Sequence, residues 1–256
     1  MPALRVVITG ASSGLGAALA RHYAKRGATL GLLARREDEL RRLAASLPGD
    51  TLVYPADVTE ASALAEAAAD FIGRAGAPDR VIANAGISVG TLTREAADVP
   101  VFQRVFAVNV LGMVNTFSPF IGPMCAAGGG TLAGIASVAG LRGLPGSGAY
   151  CASKAAAIAY LESLRGELRG TGVKVVTVAP GYVRTPMTDV NDYPMPFLLE
   201  VDDAVRRIAR VIEAGRSYAV VPWQMAIVAR LMRMLPNAVF DRLASRSGRK
   251  PRAVKL

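Results

Sequence analysis

Seven short runs rich in aliphatic and β-branched residues punctuate this chain, at 4–9, 29–34, 51–55, 80–84, 130–136, 173–179 and 217–221. Between them lie stretches of helical length and periodicity, at 15–26, 37–46, 60–73, 100–126, 149–169 and 201–214. Strict alternation of this kind leaves few topologies: successive strands lie parallel, and each crossover helix covers a sheet face. Strands buried on both faces read as near-continuous apolar runs, as 4–8 and 173–178 do. Glycine and proline mark the joints, at 48–49, 76–78, 128–130, 170–172 and 180–181. The expected fold is α/β, a doubly wound parallel sheet. One domain spans residues 1–221, and a C-terminal helical extension, apolar and basic, spans 222–256.

The first joint is the most informative. It reads Thr9-Gly10-Ala11-Ser12-Ser13-Gly14-Leu15-Gly16. Glycines let backbone approach a phosphate closely, and the free N–H groups of a helix start face it. The spacing is G-x-x-x-G-x-G. In the commoner G-x-G-x-x-G, anchored on Gly14 and Gly16, the third glycine would fall on Leu19. A tight turn without a ligand is the plain alternative, but the flanking strand and helix fit a nucleotide site. The second strand ends Ala34-Arg35-Arg36. An acid at the end of that strand selects NAD through the ribose 2′-hydroxyl, whereas arginine accommodates a 2′-phosphate. Ala34 stands at the acid position, and the planar arginine fork suits phosphate, so NADP(H) is expected over NAD(H). Glu37 is the competing clue for NAD; it reads better as a first-turn acid complementing the helix dipole. The bland reading of Arg35 and Arg36 is that they solvate the helix start.

Tyr150 and Lys154 are separated by one helical turn at the start of the 149–169 stretch, so phenol and ammonium share a face. A nearby cation favours phenolate and lowers the tyrosine pKa. Such a tyrosine can give a proton to a carbonyl oxygen or take one from an alcohol. The pair alone is weak. Ser137 strengthens it, because it follows the apolar run 131–136 at the carboxyl end of a strand, where ligands bind in such sheets.

With these motifs in order over residues 4–221, the sequence resembles the short-chain dehydrogenase/reductase family, in its short single-domain branch. The resemblance implies a Rossmann-like sheet of about seven strands and hydride transfer between nicotinamide C4 and a carbonyl or alcohol carbon. It implies that Gly10, Ser12, Ser13, Gly14, Leu15 and Gly16 form the cofactor turn, and that Asp57-Val58 faces the adenine. Asn84-Ala85-Gly86 matches the family's N-A-G motif; Ala83 precedes it where many members have another asparagine. Pro180-Gly181 and the following Val183 and Thr185 match the segment that contacts the nicotinamide carboxamide. Asn109, Ser137, Tyr150 and Lys154 match the family tetrad. In it the tyrosine is general acid/base, the lysine binds the nicotinamide ribose and depresses the tyrosine pKa, the serine bonds the substrate oxygen, and the asparagine orders a relay water. A homodimer or homotetramer through the helices at 100–126 and 149–169 is also implied.

The substrate is expected to be an apolar or partly apolar small-molecule carbonyl or alcohol. Leu144, Met187, Ser137 and Tyr150 are candidates to line its pocket, with Leu141, Met195 and Phe197 near it. Three prolines in 185–200 deny that stretch a regular helix, and its apolar content leaves two readings: a lid over the ligand, or a loop packed on the core. A catalytically silent redox sensor on the same scaffold is the alternative function, disfavoured by an intact tetrad. A sugar-nucleotide epimerase or dehydratase would need a longer substrate domain and a shorter-spaced glycine turn.

Two cysteines without a C-x-x-C arrangement, and a single histidine in 256 residues, argue against a metal site or disulfide framework. They fit reduced thiols and a cytoplasmic setting. No signal-peptide pattern opens the sequence, and no run of 18 uncharged apolar residues predicts a spanning helix. The net charge of +10 is concentrated: residues 230–256 carry eight basic groups against one acid, Asp241. Without interleaved aromatics this does not read as a nucleic-acid surface. Trp223, Ile227, Leu231 and Met234 recur at helical spacing, as do Val239, Leu243 and Phe240 after Pro236, ahead of a solvated cationic tail at 246–255. Peripheral contact at the inner face of an anionic membrane is one reading of 222–256. The preferred one packs these stripes over the substrate pocket or a subunit interface, because apolar helical stripes are usually buried.

Overall fold

The computed structural model describes residues 3–245 and 248–252. Seven strands form one sheet: β1 (Arg5–Thr9), β2 (Thr29–Ala34), β3 (Thr51–Pro55), β4 (Arg80–Ala83), β5 (Gly130–Ile135), β6 (Val173–Pro180) and β7 (Tyr218–Val221). Their spatial order is β3-β2-β1-β4-β5-β6-β7, and every pairing is parallel. The chain therefore winds outward from β1 to β3, returns to place β4 beside β1, and winds outward again. The crevice outside the carboxyl ends of β1 and β4 is the switch point, where ligands bind in such sheets.

Period-two alternation sends each strand into two cores. Val6 and Ile8 of β1 face one layer and Val7 the other; Leu30 and Leu32 of β2 oppose Leu33 in the same way. The first layer is covered by α1 (Gly14–Ala24), α2 (Glu37–Ala45) and α8 (Val201–Glu213). The second is covered by α3 (Ala61–Ala75), α5 (Gly112–Ala126) and α6 (Gly148–Glu167). Phe71, Phe117 and Phe120 are fully buried in this second layer. Each contributes roughly 1.5–3 kcal/mol of burial.

The stretch expected as one helix over 100–126 is three segments. An α-helical part, α4 (Val99–Phe106), passes through a π-helical turn, Ala107–Leu111, into α5. From Ala96 to Ala126 the run is long and apolar enough to cross a bilayer by length and composition, a property the sequence reading did not assign to it. It packs instead on the sheet, with Met113, Phe117, Phe120 and Met124 in the core. The 185–200 stretch holds a single helical turn, α7 (Pro186–Asp189), closed by a reciprocal Thr185–Thr188 cap. Two further helices, α9 (Trp223–Met234) and α10 (Asn237–Ala244), follow β7.

Candidate active site

Thr9, at the end of β1, is buried and aims its hydroxyl across to β4. Its Oγ1 accepts from the Asn84 and Ala85 N–H groups at 3.2 and 3.3 Å. Asn84 returns two bonds through Nδ2, to Thr9 O at 3.1 Å and Gly10 O at 3.3 Å. The 84–86 segment thus props the glycine turn from beneath. Two glycines there are obligatory. Gly10 adopts φ +65°, and a Cβ on it would stand 2.7 Å from Ala85 Cα. A Cβ on Gly16 would overlap Gly10 O and stand 2.6 Å from Asn84 Nδ2. Gly16 accordingly lies under the turn and does not line the cleft.

The cleft itself has a volume of about 350 Å³. Gly10, Ser12, Ser13, Gly14 and Leu15 line one end with Arg35, Arg36, Asp57 and Val58. Asn84, Ala85, Gly86, Ser137, Tyr150, Lys154, Pro180, Gly181, Val183, Thr185 and Met187 continue it. Residues expected from seven separate places in the sequence are thereby brought together. Ala34, Ala56, Ile87, Val108 and Ile135 line it as well and carried no polar signal by which to be found. Besides Gly16, two expected residues stand elsewhere. Leu144 is not on the cleft wall; its backbone carbonyl accepts from Ser147 N at 3.0 Å in the turn before α6. Asn109 is fully buried one layer behind.

At the end of the cleft lined by the glycine turn, Arg36 reaches back over that turn. Its Nη2 donates to Ser12 Oγ at 3.0 Å and Ser13 Oγ at 2.7 Å. Two hydroxyls and a guanidinium so converge beside a helix start, a donor set suited to a phosphate. Arg35 lies 3.8 Å from Asp57. Burial pushes the Asp57 carboxyl up, but hydrogen bonds from Thr59 and Arg104 outweigh it and hold the group below its ordinary range. Arg104 donates at 2.6 Å; its role had no signal in the sequence, being 47 residues away on α4.

At the other end, Ser137 caps a 3-10 turn, Val138–Gly140, by accepting from Ala139 N at 3.2 Å. Its Oγ also donates to Pro180 O at 3.5 Å. Burial raises the Tyr150 phenol and the neighbouring Ser137 hydroxyl only partly offsets this, so the net direction is upward. That corrects the expectation of a phenol lowered by Lys154: desolvation in the crowded cleft dominates. Lys154 is itself buried, with Nζ donating to Ile135 O at 2.7 Å, and burial brings its ammonium down to about 8.

Asn109 sits in the π-helical turn. Its Oδ1 accepts from Ile87 N at 2.8 Å, while Nδ2 donates to Ile87 O at 3.0 Å and Ser153 Oγ at 2.9 Å. Ser153 passes the link to Tyr150 O at 2.8 Å. A Cβ on Gly86 would stand 3.3 Å from Asn109 Oδ1 and 3.5 Å from Lys154 Nζ, so these groups and the 86–87 backbone form one cluster.

The cleft is partly closed on the side of the 185–200 stretch. The 185–200 stretch divides between the two expected roles: Met187 lines the cleft, Leu199 packs on the core, and Phe197 is exposed at φ +56°. Residues 248–252 are not the solvated tail expected. Lys250 Nζ donates to Met187 O at 2.8 Å, Gly90 N to Pro251 O at 3.1 Å, and Arg252 grips Asp98 through two bonds of 2.9 Å. This strap joins the loop after β4 to the loop after β6. Arg246 and Lys255 lie outside the described residues.

Within the single chain, helix α9 does not lay its expected stripe over the cleft. Its buried face is Met225 and Ala229, and Met225 packs on Gly181 at the cleft wall. The stripe of Trp223, Ile227, Leu231 and Met234 faces outward.

Comparison with known proteins agrees with this geometry. Residues 5–193 match the family model described as short chain dehydrogenase. A protein described as an uncharacterized oxidoreductase of Myxococcus xanthus is 41% identical over 244 residues, 94% of this chain and 96% of that one. Among solved structures, a 3-ketoacyl-(acyl-carrier-protein) reductase from Brucella melitensis complexed with NADH is similar at TM-score 0.79. It is 25% identical, and the match covers 86% of this chain and 97% of that one. An alcohol dehydrogenase from Thermococcus sibiricus complexed with 5-hydroxy-NADP is similar at TM-score 0.74 and 25% identity, covering 85% and 95%.

Proposed function

The chain belongs to the short chain dehydrogenase family and is an oxidoreductase of that family, and from that premise we propose that it is an NADP(H)-dependent enzyme acting on an apolar or partly apolar carbonyl or alcohol. The observation that carries the reading is the convergence of Ser137, Tyr150 and Lys154 on one cleft with the glycine turn. The cradle fits a dinucleotide: Gly10 and Gly14 adopt positive φ, opening the backbone to a phosphate, and Ser12, Ser13 and Arg36 supply donors at the ribose end. Ala34 in place of an acid supports NADP(H) over NAD(H). Asp57 and Val58 would face the adenine, and Pro180, Gly181, Val183 and Thr185 the nicotinamide.

Bound there, the nicotinamide supplies a hydride in reduction or takes one in oxidation. The protein's own groups handle the proton. Ser137 orients the substrate oxygen by a hydrogen bond. Tyr150 gives its phenolic proton to a carbonyl oxygen as the carbon is reduced, and takes it back from the alcohol in the reverse direction. Lys154 holds the nicotinamide ribose and stabilises the phenolate that Tyr150 becomes. Asn109 fixes the Ile87 backbone and, through Ser153, the start of α6, and would order a water connecting Lys154 to solvent, from which the Tyr150 phenolate regains its proton. A homodimer or homotetramer across α4 to α6, where Phe102 and Leu111 are exposed, completes the reading.

The test is NADPH oxidation against a panel of apolar ketones and aldehydes, with NADP-linked oxidation of the matching alcohols. Turnover of one class with NADPH supports the assignment. A folded protein that binds the dinucleotide and turns over none would favour the silent sensor.

A further inference from the structure

We propose that the outward face of α9 and α10 docks on the surface of an anionic lipid bilayer. Six of the thirteen large apolar side chains exposed among the described residues fall within 223–243. Trp223 is 64% exposed, Leu231 59% and Met234 80%. On α9, positions 223, 227, 230 and 234 fall on one side, opposite the buried Met225 and Ala229. Val239 and Leu243 are likewise exposed on α10, while Phe240 and Ala244 are buried.

Charge decides the occupant. Arg230 stands within the apolar stripe, and Arg233 and Arg242 lie beside it. Asp241 is the only acid in residues 222–256, and Lys250 and Arg252 are engaged in the strap, so Arg230, Arg233 and Arg242 are the cations that α9 and α10 themselves carry. A second copy of this chain would set Arg230 near its own symmetry mate with no carboxylate in the stripe to pair it. A layer of lipid phosphates meets both requirements: arginine lays its methylene stem along apolar surface and carries its guanidinium to the headgroups. Tyr218, on β7, lies near Arg230 and Arg233, and Trp223 opens α9; both residue types favour the interface between hydrocarbon and water.

This face is tied to the cleft. Arg142, in the loop after Ser137, donates to Met232 O and to Leu235 O, the latter at 2.9 Å, and to Asn237 Oδ1 at 3.1 Å. It also lies 3.9 Å above the Phe240 ring. The corner between α9 and α10 is so held against the loop after Ser137, and Met225 holds the other end of α9 against Gly181, which lines the cleft. A docked protein would present that side of the cleft towards the lipid. The docking does not depend on which dinucleotide or carbonyl the cleft takes.

Trp223 is the only tryptophan in the sequence, so its fluorescence reports this face alone. The full chain is mixed with vesicles of phosphatidylcholine, or of phosphatidylcholine with phosphatidylglycerol. With the anionic vesicles at about 20 mM salt the emission moves to shorter wavelength and is quenched by brominated phosphatidylcholine; about 500 mM salt weakens binding at least ~10-fold. Neutral vesicles give little of either. Ile227→Asp with Leu231→Asp lowers co-sedimentation at least ~10-fold, and Arg230→Glu with Arg242→Glu flattens the salt dependence, both with unchanged circular dichroism and dinucleotide affinity. Unshifted, unquenched Trp223 emission in the parent protein with anionic vesicles at low salt overturns the proposal, whatever the variants do. So does loss of self-association in the Ile227→Asp, Leu231→Asp protein when its parent ignores vesicles, which would make the face a subunit contact.

Discussion

Lys154 stands 5.9 Å from the centre of the Tyr150 ring, and the hydrogen bond that holds it there goes to a neutral carbonyl, that of Ile135, at 2.7 Å. A buried ammonium with a neutral partner bears a desolvation cost that nothing on the folded side repays in full. The position serves the chemistry and works against the fold.

Replacing Lys154 by methionine should therefore stabilise the protein without its cofactor. The folded-state value, about 8, lies below the ordinary 10.5, so the unfolded chain binds more protons between those values and stability rises with pH across that window. At pH 7 the whole cost is present, and Lys154→Met should gain on the order of 1–3 kcal/mol. The gain should shrink towards pH 10.5. Urea unfolding at pH 7 and pH 10 measures it, while turnover should fall sharply. A variant no more stable than its parent at pH 7 contradicts the account.

Tyr150→Phe should leave NADPH affinity within a few-fold and cut turnover by at least ~100-fold, the scale of a lost general acid. Because burial raises the free phenol, the protonated form should dominate through neutral pH, and reduction should hold up better than oxidation as pH falls. Steady-state rates of both directions from pH 6 to 9 check this. Near-normal turnover of a folded Tyr150→Phe protein removes the assignment.

Arg36→Ala with Arg35→Ala should weaken NADPH by ~1.5–4 kcal/mol and leave NADH almost unchanged. Of the two singles, Arg36→Ala should carry most of the loss, since Arg36 makes the bonds to Ser12 and Ser13 while Arg35 leans towards Asp57. Fluorescence titration with both dinucleotides decides it. Equal losses for both would mean that the arginines do not read the 2′-phosphate.

Gly16→Ala should cost at least ~2 kcal/mol of stability, because the added methyl meets backbone that cannot yield. Gly73→Ala, in open space on α3, should be neutral or slightly stabilising. Paired thermal melts of the two variants test the contrast; similar melts would show that the turn can relax around a side chain.

What could be read in the sequence followed from local demands. The seven strands appear where aliphatic runs lie between breakers, because burial on both sheet faces forces that composition. Gly10, Gly14 and Gly16 were legible because a tight strand-to-helix turn needs positive φ at the first two and leaves no room for a side chain at the third. Tyr150 and Lys154 were legible because one helical turn fixes their relation. Contacts between distant segments left no such trace. Arg252 and Asp98 meet across 154 residues of sequence, and nothing local in the basic tail distinguishes that arginine from its neighbours. The α9 stripe was legible as an apolar face, but Met225 and Ala229 form a second one, and only tertiary packing chooses which of the two the chain itself covers.

The π-helical turn at Ala107–Leu111 means that this helix carries one residue more than its ladder of bonds can absorb. The surplus is harmless to the fold and sets the aim of Asn109. Deleting any single residue between Phe106 and Gly112 would let the ladder close with the flanking helices nearly where they are, so Phe117 and Phe120 would keep the core. Asn109, inside the turn, would lose its aim at Ile87 and Ser153. A chain of this kind that is one residue shorter here would keep every motif and still misplace that amide.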